Sequence, residues 1–533
     1  MKAFYPILLF TSIALLIGFS TTKTIGHPIS DLADHIWSHE WVWKSLQDGH
    51  LPRTTTNTHL PNGGLLWHID PFGSLIYLPL RIFFSTTIAW NGMLLCELWM
   101  LALLLFSIFR KHQLSPNISF IAALSLSISP YSLGLLHSGL SEYINIIFPL
   151  LIIWRQHNES VQNPIGMGIL LFACVIQAPY YALFTGLYLL CTIRKTHEFT
   201  NYLYTIGFAA LCSAPLLVWI QNTFQSPKAA FSSKEAPGWN FLRLPEIDLL
   251  GWIHPGKWYA PDTPSLGNPG IVQIYYIGWI WLVLVGYTIW HSTEARSFFK
   301  KTIPFLIVCL GPTLSINRYS TGIPLPLSLF YQIEEFRFLH HPYRIIACII
   351  PILSVYAVYA YSVIPPKVFG VLLSLSLLET ISISPAVWPL PKTESLHVPK
   401  ISSLAPGNLL NWPPDATKVR RMALLAQFSH QKSIFMGINT NITSEIYTDS
   451  TIRSLYDCID TPQKLFINRD IPLPPPQIPK SSLNDLLESY SVKWILFHRS
   501  ILKDKEEQCT ENKLKDICIH YSTTEAFFLC TRN

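Results

Sequence analysis

The sequence predicts an all-α polytopic membrane protein with about 11 transmembrane helices, a long first outer loop and a C-terminal extracytoplasmic α/β domain. Half of its 533 residues are hydrophobic and only 13% are charged, whereas soluble proteins carry roughly 25% charged residues. The apolar residues form long runs with short connections, as bilayer-spanning helices do. Lys and Arg lie at the ends of these runs, so the net charge of +6 indicates membrane orientation and not nucleic-acid binding.

The first apolar run, at the start of the chain, has two interpretations. Its exit at Gly18 to Thr21 is a poor cleavage site for a signal peptide, so we interpret the run as a retained first span, with a cleaved signal peptide as the alternative. Residues 75–89 are apolar but short, which predicts a helix lying in the membrane plane. The predicted domains are the first transmembrane helix (1–22), an outer loop with the in-plane helix (23–89), a multi-span domain (90–383) and the C-terminal extracytoplasmic domain (384–533).

Ten further apolar segments complete the predicted spans, although several of them are short for a bilayer. They are Trp90–Phe109, Ile118–Leu136, Tyr143–Trp154, Ile165–Gln177, Tyr180–Ile193, Tyr202–Gln221, Ile271–Trp290, Ile303–Leu314, Ile345–Ile364 and Val368–Ile383.

The charges between these spans predict an orientation. With the N-terminus in the cytoplasm, the inside connections hold ten bases and three acids, in agreement with the positive-inside rule. The bases are Lys2, Arg110, Lys111, Arg155, Arg194, Lys195, Arg296, Lys300, Lys301 and Lys367, and the acids are Glu159, Glu198 and Glu294. This orientation places the first loop and the tail on the outer face.

The polar tail has the features of a small disulfide-containing domain. It holds four of the ten cysteines, which are Cys458, Cys509, Cys518 and Cys530. An even number of cysteines in an extracytoplasmic tail predicts disulfides, with three possible pairings. The tail also has a helical pattern near Ala416–Gln431 and strand-like segments at Lys493–His498 and Ala526–Thr531.

The first loop concentrates titratable side chains, and Asp31 and Asp34 lie close behind the first span. If this stretch is helical, Asp31 shares a face with His35 and His39 at four-residue spacing. A carboxylate at the membrane surface can accept a proton from a hydroxyl or bind a divalent cation. The alternative is a surface helix that Ser30 and Asp31 cap.

Two further acids are predicted on the same outer face. Asp70 precedes a proline, so it either initiates a turn or is the second carboxylate of a site shared with the earlier aspartates. Glu142 lies with His137 in a short outer loop between two spans. An acid beside a span end either contributes to such a site or is structural.

Arg337 and Arg344 flank an aromatic segment on the predicted outer face. A guanidinium binds two phosphate oxygens at once, so either arginine is a candidate ligand for a lipid phosphate. The alternatives are snorkelling to lipid headgroups and ion pairs with Glu334 and Glu335.

No specific cofactor motif occurs in the sequence. His35 and His39 have HxxxH spacing, but no HExxH motif supports a histidine-bound metal. There is no P-loop, no GxGxxG after a strand and no GxSxG. The sequence predicts no certain cofactor and leaves open a divalent cation, Mg²⁺ or Mn²⁺, on the carboxylates.

The architecture resembles the family C glycosyltransferase superfold, whose multi-span enzymes use polyprenyl-phosphate-linked sugars. The first span, the loop with early acids, the in-plane helix, the further spans and the terminal outer domain carry the resemblance. The chain is also similar to a group of bacterial polytopic membrane proteins in LPRTTTNTHLPNGGLLWHIDPFGSLIYLPL, SPYSLGLLHSG, LGPTLSINRYSTGIPLPLSLF, FRFLHHPYR, ALLAQFSHQKSIFMG and YSVKWILFHRS. This similarity implies the bacterial inner membrane. The superfold's first-loop aspartate, catalytic base or metal ligand, corresponds to Asp34 or Asp31, although the chain lacks an acidic pair directly after the span.

The resemblance implies an inverting membrane glycosyltransferase whose partners are membrane lipids and a polyprenyl-phosphate sugar. In this hypothesis Arg337 or Arg344 binds the donor phosphate. Asp34 or Asp31, helped by Asp70, takes the proton of the acceptor hydroxyl. Trp37 or Trp41 stacks on the sugar ring. One alternative is a non-enzymatic transporter or binder of a lipid-linked precursor, for which Glu97 is the clearest mid-span acid. The other is an envelope scaffold that uses the tail.

Overall fold

The computed structural model describes the chain in two compact units. The first unit comprises Met1–His27, Ile69–Leu217 and Ala236–Thr393, and the second comprises Pro28–His68, Val218–Glu235 and Glu394–Asn533. The described residues are 4–28, 30–55, 57–58, 64–65, 70–158, 163–225, 247–255, 274–316, 319–332, 342–384, 386, 388–394, 407–412, 418–430, 432–435, 445–458, 482–498, 504–514, 518, 520–523 and 527–532.

Helices dominate the described residues. They are α1 (Phe4–Leu16), α2 (Leu32–Gln47), α3 (Pro71–Phe83), α4 (Thr86–Lys111), α5 (Pro116–Ser127), α6 (Pro130–Ser138), α7 (Ile147–Asn158), α8 (Pro164–Gln177), α9 (Pro179–Thr192), α10 (Thr196–Gln225), α11 (Trp279–His291), α12 (Thr293–Val308), α13 (Ile346–Val363), α14 (Pro366–Ile383), α15 (Lys418–His430), α16 (Glu445–Thr448), α17 (Arg453–Tyr456), α18 (Leu483–Ser489) and α19 (Asp504–Leu514). The strands are β1 (Lys23–Ile25), β2 (Thr54–Thr55), β3 (Gly64–Leu65), β4 (Thr313–Ile316), β5 (Tyr319–Pro324), β6 (Lys392–Glu394), β7 (Asn408–Trp412), β8 (Val492–His498), β9 (His520–Thr523) and β10 (Phe527–Thr531).

Membrane-spanning helices form much of the first unit. Among the described residues, four helices are long and apolar enough to cross a bilayer: α4, α10, α14, and α13 with the turn before it. A fifth span is possible if α5 and α6, which meet at a bend of 44°, count as one. The protein is thus a mostly helical integral membrane protein, but the predicted count of about 11 spans is not confirmed.

Hydropathy predicts more spans than the described residues have helices long enough to cross a bilayer, and proline explains part of this difference. Pro164 and Pro179 stand at the first helical positions of α8 and α9, because proline fits a helix start but breaks a helix interior. Each of these helices has 14 residues and so extends about 21 Å, which is short of the roughly 30 Å hydrocarbon core. The span predicted over Ile303–Leu314 is likewise cut at Val308, and β4 and β5 form a hairpin behind it.

The predicted in-plane helix has different bounds from those expected. α3 runs over Pro71–Phe83 and ends before Ser85, whose hydroxyl accepts the Ile88 N–H at 3.4 Å and caps α4. Residues 86–89, which the sequence assigned to the in-plane helix, therefore begin the span α4.

The chain that leaves α1 is held against α4. Asn91 Oδ1 accepts the Ile25 N–H at 2.9 Å, and Asn91 Nδ2 donates to the carbonyls of Ser20 and Lys23 at 2.7 and 2.9 Å. The indole of Trp90 donates to the Ile25 carbonyl at 3.1 Å. These bonds satisfy an irregular backbone segment that would otherwise lose its hydrogen bonds to water.

The second unit contains a four-stranded sheet in the order β7–β8–β10–β9, with β7 parallel to β8 and the other pairs antiparallel. The strand-like segments predicted at Lys493–His498 and Ala526–Thr531 are confirmed as β8 and β10, and the helical pattern near Ala416–Gln431 is confirmed as α15. Alternation along β8 is weak because five consecutive residues from Trp494 are buried, as expected for a strand covered on both faces.

Two disulfides join the four tail cysteines, as Cys458–Cys509 and Cys518–Cys530. The bonded residues are 51 and 12 positions apart, and closing such loops in the unfolded chain corresponds to about 4 and about 3 kcal/mol. We therefore expect Cys458→Ser/Cys509→Ser to reduce the protease resistance of the tail in the full-length protein more than Cys518→Ser/Cys530→Ser. Equal resistance of the wild type and the first double variant would contradict this, and Cys212→Ser is the control.

His430, at the end of α15, should make the stability of the second unit depend on pH. The ring is 1% exposed and its Nδ1 accepts the Lys432 N–H at 2.9 Å. Burial, and secondarily the charge of Lys432, lower the pKa of His430 to about 4, whereas an unfolded histidine titrates near about 6.5. The unfolded chain therefore binds more protons between these values. The stabilisation is complete above about pH 6.5 and declines as the pH falls towards 4.

We expect acidification from pH 7 to pH 5 to cost the second unit about 2 kcal/mol through His430. Thermal unfolding of the full chain measures this loss, and His430→Gln should show a smaller decrease than the wild type. The exposed His50 provides the control variant His50→Gln, which should keep the wild-type dependence. A wild-type dependence in His430→Gln would assign the effect to another group.

Candidate active site

Asp70 links α3 to the short turn between α6 and α7. Its Oδ1 accepts the Gly73 N–H at 2.8 Å and caps α3, and its Oδ2 accepts the Ser141 hydroxyl at 2.6 Å. The carboxylate is 1% exposed. A Cβ at position 73 would lie 2.2 Å from Oδ2, so this close approach requires glycine. The turn-initiating role predicted for Asp70 is present, together with a second bond that sequence spacing does not indicate.

The 3₁₀ turn Ser141–Tyr143 presents Glu142 and Tyr143 to the interior of the first unit. Its backbone is held from the α8–α9 junction, where Tyr181 donates its hydroxyl to the Tyr143 carbonyl and Gln177 donates its amide to the carbonyls of Asn145 and, at 3.4 Å, Glu142. These side chains replace the helical hydrogen bonds that the turn lacks, and so fix the direction of Glu142.

Arg344 lies at the start of the α13 span and is 7% exposed. Its Nη1 donates to the Tyr143 hydroxyl, and its Cζ lies 3.8 Å from the Tyr143 ring centroid and 4.6 Å from that of Tyr180. Glu142 is close enough to interact with its charge. Its Nε has no hydrogen-bond partner among the described residues. A guanidinium stacked on aromatic rings is held in a fixed plane, which leaves one donor edge to bind a ligand.

His137 and Glu97 flank this cluster. The His137 ring stacks on His27 with centroids 5.5 Å apart and an interplanar angle of 14°, and the His137 carbonyl accepts the His27 N–H at 2.9 Å. Glu97 is 1% exposed within α4 and interacts electrostatically with Asp70. The Ser141–Tyr143 turn thus connects three predicted site residues, Asp70, Glu142 and Arg344, and His137 lies just ahead of it in the chain. We call these four, with Ser141 and Tyr143, the polar cluster.

Asp31 and Asp34 lie in the second unit, at the start of α2. Asp31 occupies the N-cap position, but the nearby cap bond comes from Ser30, whose hydroxyl accepts the Leu32 N–H at 3.2 Å. The Asp31 carboxylate instead pairs with Arg421 of α15, a side chain only 5% exposed. Asp34 is 1% exposed. The pairing gives Asp31 a structural role, and a chemical role for either aspartate stays a prediction.

Trp37 and Trp41 stack on each other along α2, with centroids 6.1 Å apart and an interplanar angle of 16°. Both are buried, at 3% and 6% exposed. The Trp37 indole donates to Gln427 Oε1 at 2.5 Å, and that of Trp41 to the Thr54 carbonyl at 3.3 Å. These contacts account for both residues in the packing of the second unit, and stacking on a sugar stays a prediction.

The mycobacterial arabinofuranosyltransferase AftD shares this architecture. Its solved structure aligns with 99% of this chain and 40% of its own, at 12% identity and a TM-score of 0.56. A second structure, its R1389S mutant, gives 0.53 at 12% identity, over 100% and 41%. The chain has the family C glycosyltransferase fold.

The other comparisons give a weaker alignment or find nothing. The oligosaccharyltransferase AglB from Archaeoglobus fulgidus, in complex with an inhibitory peptide and a dolichol-phosphate, aligns over 100% of this chain and 75% of its own, with 12% identity and a TM-score of 0.45. The chain spans less than half the length of AftD. No family model and no curated protein matches the sequence.

The sequence analysis did not identify five residues of the site, which are His27, Ser141, Tyr143, Gln177 and Tyr180. Of these five, Gln177 had the clearest sequence signal, because a polar residue two positions before a proline at the end of an apolar run indicates a hydrogen bond to the backbone.

Arg337 lies outside the described residues. Within the described part of the chain, no group of three His, Cys, Asp or Glu side chains is placed to hold a metal ion, so a divalent cation stays a prediction.

Proposed function

We propose that the protein is an inverting glycosyltransferase that moves a sugar from a polyprenyl-phosphate-linked donor to an envelope acceptor on the outer face. The polar cluster in the family C fold is the observation that carries this proposal. Buried carboxylates and an arginine are expensive within apolar surroundings and mark functional sites in membrane proteins. The bond between the acceptor oxygen and the anomeric carbon forms as the bond to phosphate breaks, and polyprenyl phosphate leaves with the electron pair.

Arg344 is proposed to bind the donor phosphate. The Nε edge of its guanidinium carries no bond to a described residue, and its Nη1 contact is to a neutral hydroxyl, that of Tyr143. A phosphate oxygen is a stronger acceptor than a phenol, because it carries negative charge and a guanidinium can bind two phosphate oxygens at once. Glu142 balances the arginine charge when no donor is bound.

Asp34 is the base that the resemblance implies, and it would take the proton that the acceptor hydroxyl loses. Asp34 is chosen over Asp31 because the Asp31 carboxylate is held in an ion pair with Arg421.

Two observations support an outer location for the tail. The disulfides Cys458–Cys509 and Cys518–Cys530 are typical of an oxidising compartment. The basic residues between the predicted spans favour a cytoplasmic N-terminus in the inner membrane.

The test is the composition of envelope glycans and glycolipids, measured by mass spectrometry in a deletion strain. A sugar that is missing from the strain should return with the wild-type protein and not with Asp70→Asn. Asparagine keeps an oxygen to cap α3, so this variant removes the charge and not the helix cap. Asp48→Asn, at an exposed acid, is the control and should restore the sugar. Unchanged glycans in the deletion strain would remove the basis for the proposal.

Glu97 favours a second candidate function, transport of a lipid-linked precursor. It is buried within a span, and its Oε2 accepts no hydrogen bond from any residue that the structure describes. An ionisable residue in such a place is typical of transport pathways. Translocation of the precursor into vesicles without sugar transfer, abolished by Glu97→Gln, would establish this function instead.

A further inference from the structure

The first unit has a cavity of about 470 Å³ that is separate from the polar cluster. It lies where α7 and α9 end and α10 begins, and α12 forms another wall. Tyr143 of the polar cluster packs against Tyr180 and Tyr181 at the opposite end of α9. Along α9 alone, Tyr181 and Thr192 are about 16 Å apart. The cavity therefore opens at the other end of the helices from the polar cluster.

Positive charge predominates in the lining. Arg194, Lys195 and Lys301 face the cavity, against one carboxylate, Glu198. The Glu198 carboxylate is engaged by backbone, since it accepts the N–H groups of Arg194 at 2.7 Å and of Lys195 at 3.3 Å ahead of α10. Neither Lys195 nor Lys301 forms an ion pair with a residue that the structure describes. The lining thus holds a net positive charge that the described protein does not neutralise.

The surrounding contacts give this site a defined shape. Arg194 Nη2 donates to the Lys300 carbonyl at 2.9 Å, which fixes its guanidinium against α12. His157 shares a hydrogen bond of 3.1 Å with the Tyr359 hydroxyl and packs edge-on against Phe298. Burial, followed by the nearby charges of His112 and Lys301, lowers the pKa of His157 to about 4. His157 is therefore neutral at pH 7, and the charge of the site comes from the arginine and the lysines.

We propose that this cavity binds a phosphate group, carried either by an anionic lipid headgroup or by a soluble phosphate compound. Arginine and lysine together provide the forked and point-charge donors that phosphate oxygens accept. Basic pockets between membrane helices are suited to anionic headgroups, and the sequence assigns Arg194, Lys195 and Lys301 to the cytoplasmic face, where anionic lipids are attracted by such charges. The site does not depend on glycosyl transfer.

Native mass spectrometry of the purified full-length protein tests the lipid source. Titration with phosphatidylglycerol should give more bound lipid than titration with phosphatidylcholine. Arg194→Gln/Lys301→Gln should lower phosphatidylglycerol binding by about 10- to 30-fold. Lys300→Gln removes a neighbouring charge that does not line the cavity, and it should retain wild-type binding. Lys195→Gln is a milder variant, in case the double variant does not fold.

Calorimetry with inorganic pyrophosphate tests the soluble source on the same preparations. Pyrophosphate binding that Arg194→Gln/Lys301→Gln abolishes would support the site and identify a soluble ligand. A phosphatidylglycerol preference lost in that variant would support the site and identify a lipid. The proposal is overturned if the wild type shows neither, or if binding survives unchanged in a folded double variant and in Lys195→Gln.

Discussion

Asp34→Asn should lower the rate of sugar transfer by about 100- to 10,000-fold, which is the usual contribution of a general base. The protein should remain folded, because asparagine has the shape of aspartate and Asp34 lies in the first turn of a regular helix. Asp31→Asn should behave differently and lower the thermal stability, because Arg421 is buried and loses its charged partner. Transfer rates and unfolding midpoints of the two purified variants, measured side by side, separate these roles.

Asp48→Asn is the matched control for both variants, since Asp48 is an exposed acid at the other end of α2. It should change neither rate nor stability. If Asp31→Asn lost transfer while Asp34→Asn kept it, the assignment of the base would have to be reversed. If both retained transfer, the first-loop acids would be structural.

Arg344→Met should destabilise the protein by about 1–3 kcal/mol, the cost of leaving a buried polar group without its hydrogen-bond partner. Glu142 is 9% exposed and interacts with the Arg344 charge, so its carboxylate would lose this favourable interaction. Tyr143 would also lose the guanidinium that its hydroxyl and ring contact. Thermal unfolding in detergent measures the loss.

A double-mutant cycle distinguishes charge from packing. Glu142→Gln/Arg344→Met should recover part of the stability lost in Arg344→Met, because neither buried charge remains. Arg296→Met replaces an exposed arginine and should change stability little. Additive losses in the double variant would mean that Glu142 and Arg344 do not interact energetically.

Local chemistry accounts for the parts of the fold and site that the sequence could predict. The Asp-Pro pair indicated a turn at Asp70, and hydropathy located the apolar helices. The strand-like segments at Lys493–His498 and Ala526–Thr531 indicated strands in the tail. Each of these features depends on residues within one turn or one strand, so spacing alone reveals it.

The contacts that sequence could not predict are long-range. Tyr143 and Arg344 are 201 positions apart, and Asp31 and Arg421 are 390 apart, so no spacing rule connects them. The span count is not confirmed for another reason. The predicted segments that follow Pro164 and Pro179 form helices of only 14 residues each, whereas a helix that crosses a bilayer needs about 20.

Gly73 makes the Asp70 site recognisable in other sequences. Any side chain at that position would push against the carboxylate, because even a Cβ would lie 2.2 Å from its Oδ2. A chain that keeps this carboxylate both as a helix cap and as the acceptor of a serine hydroxyl must therefore keep glycine three positions later. Asp-x-x-Gly at the start of an apolar helix is thus a search pattern for chains that keep this site.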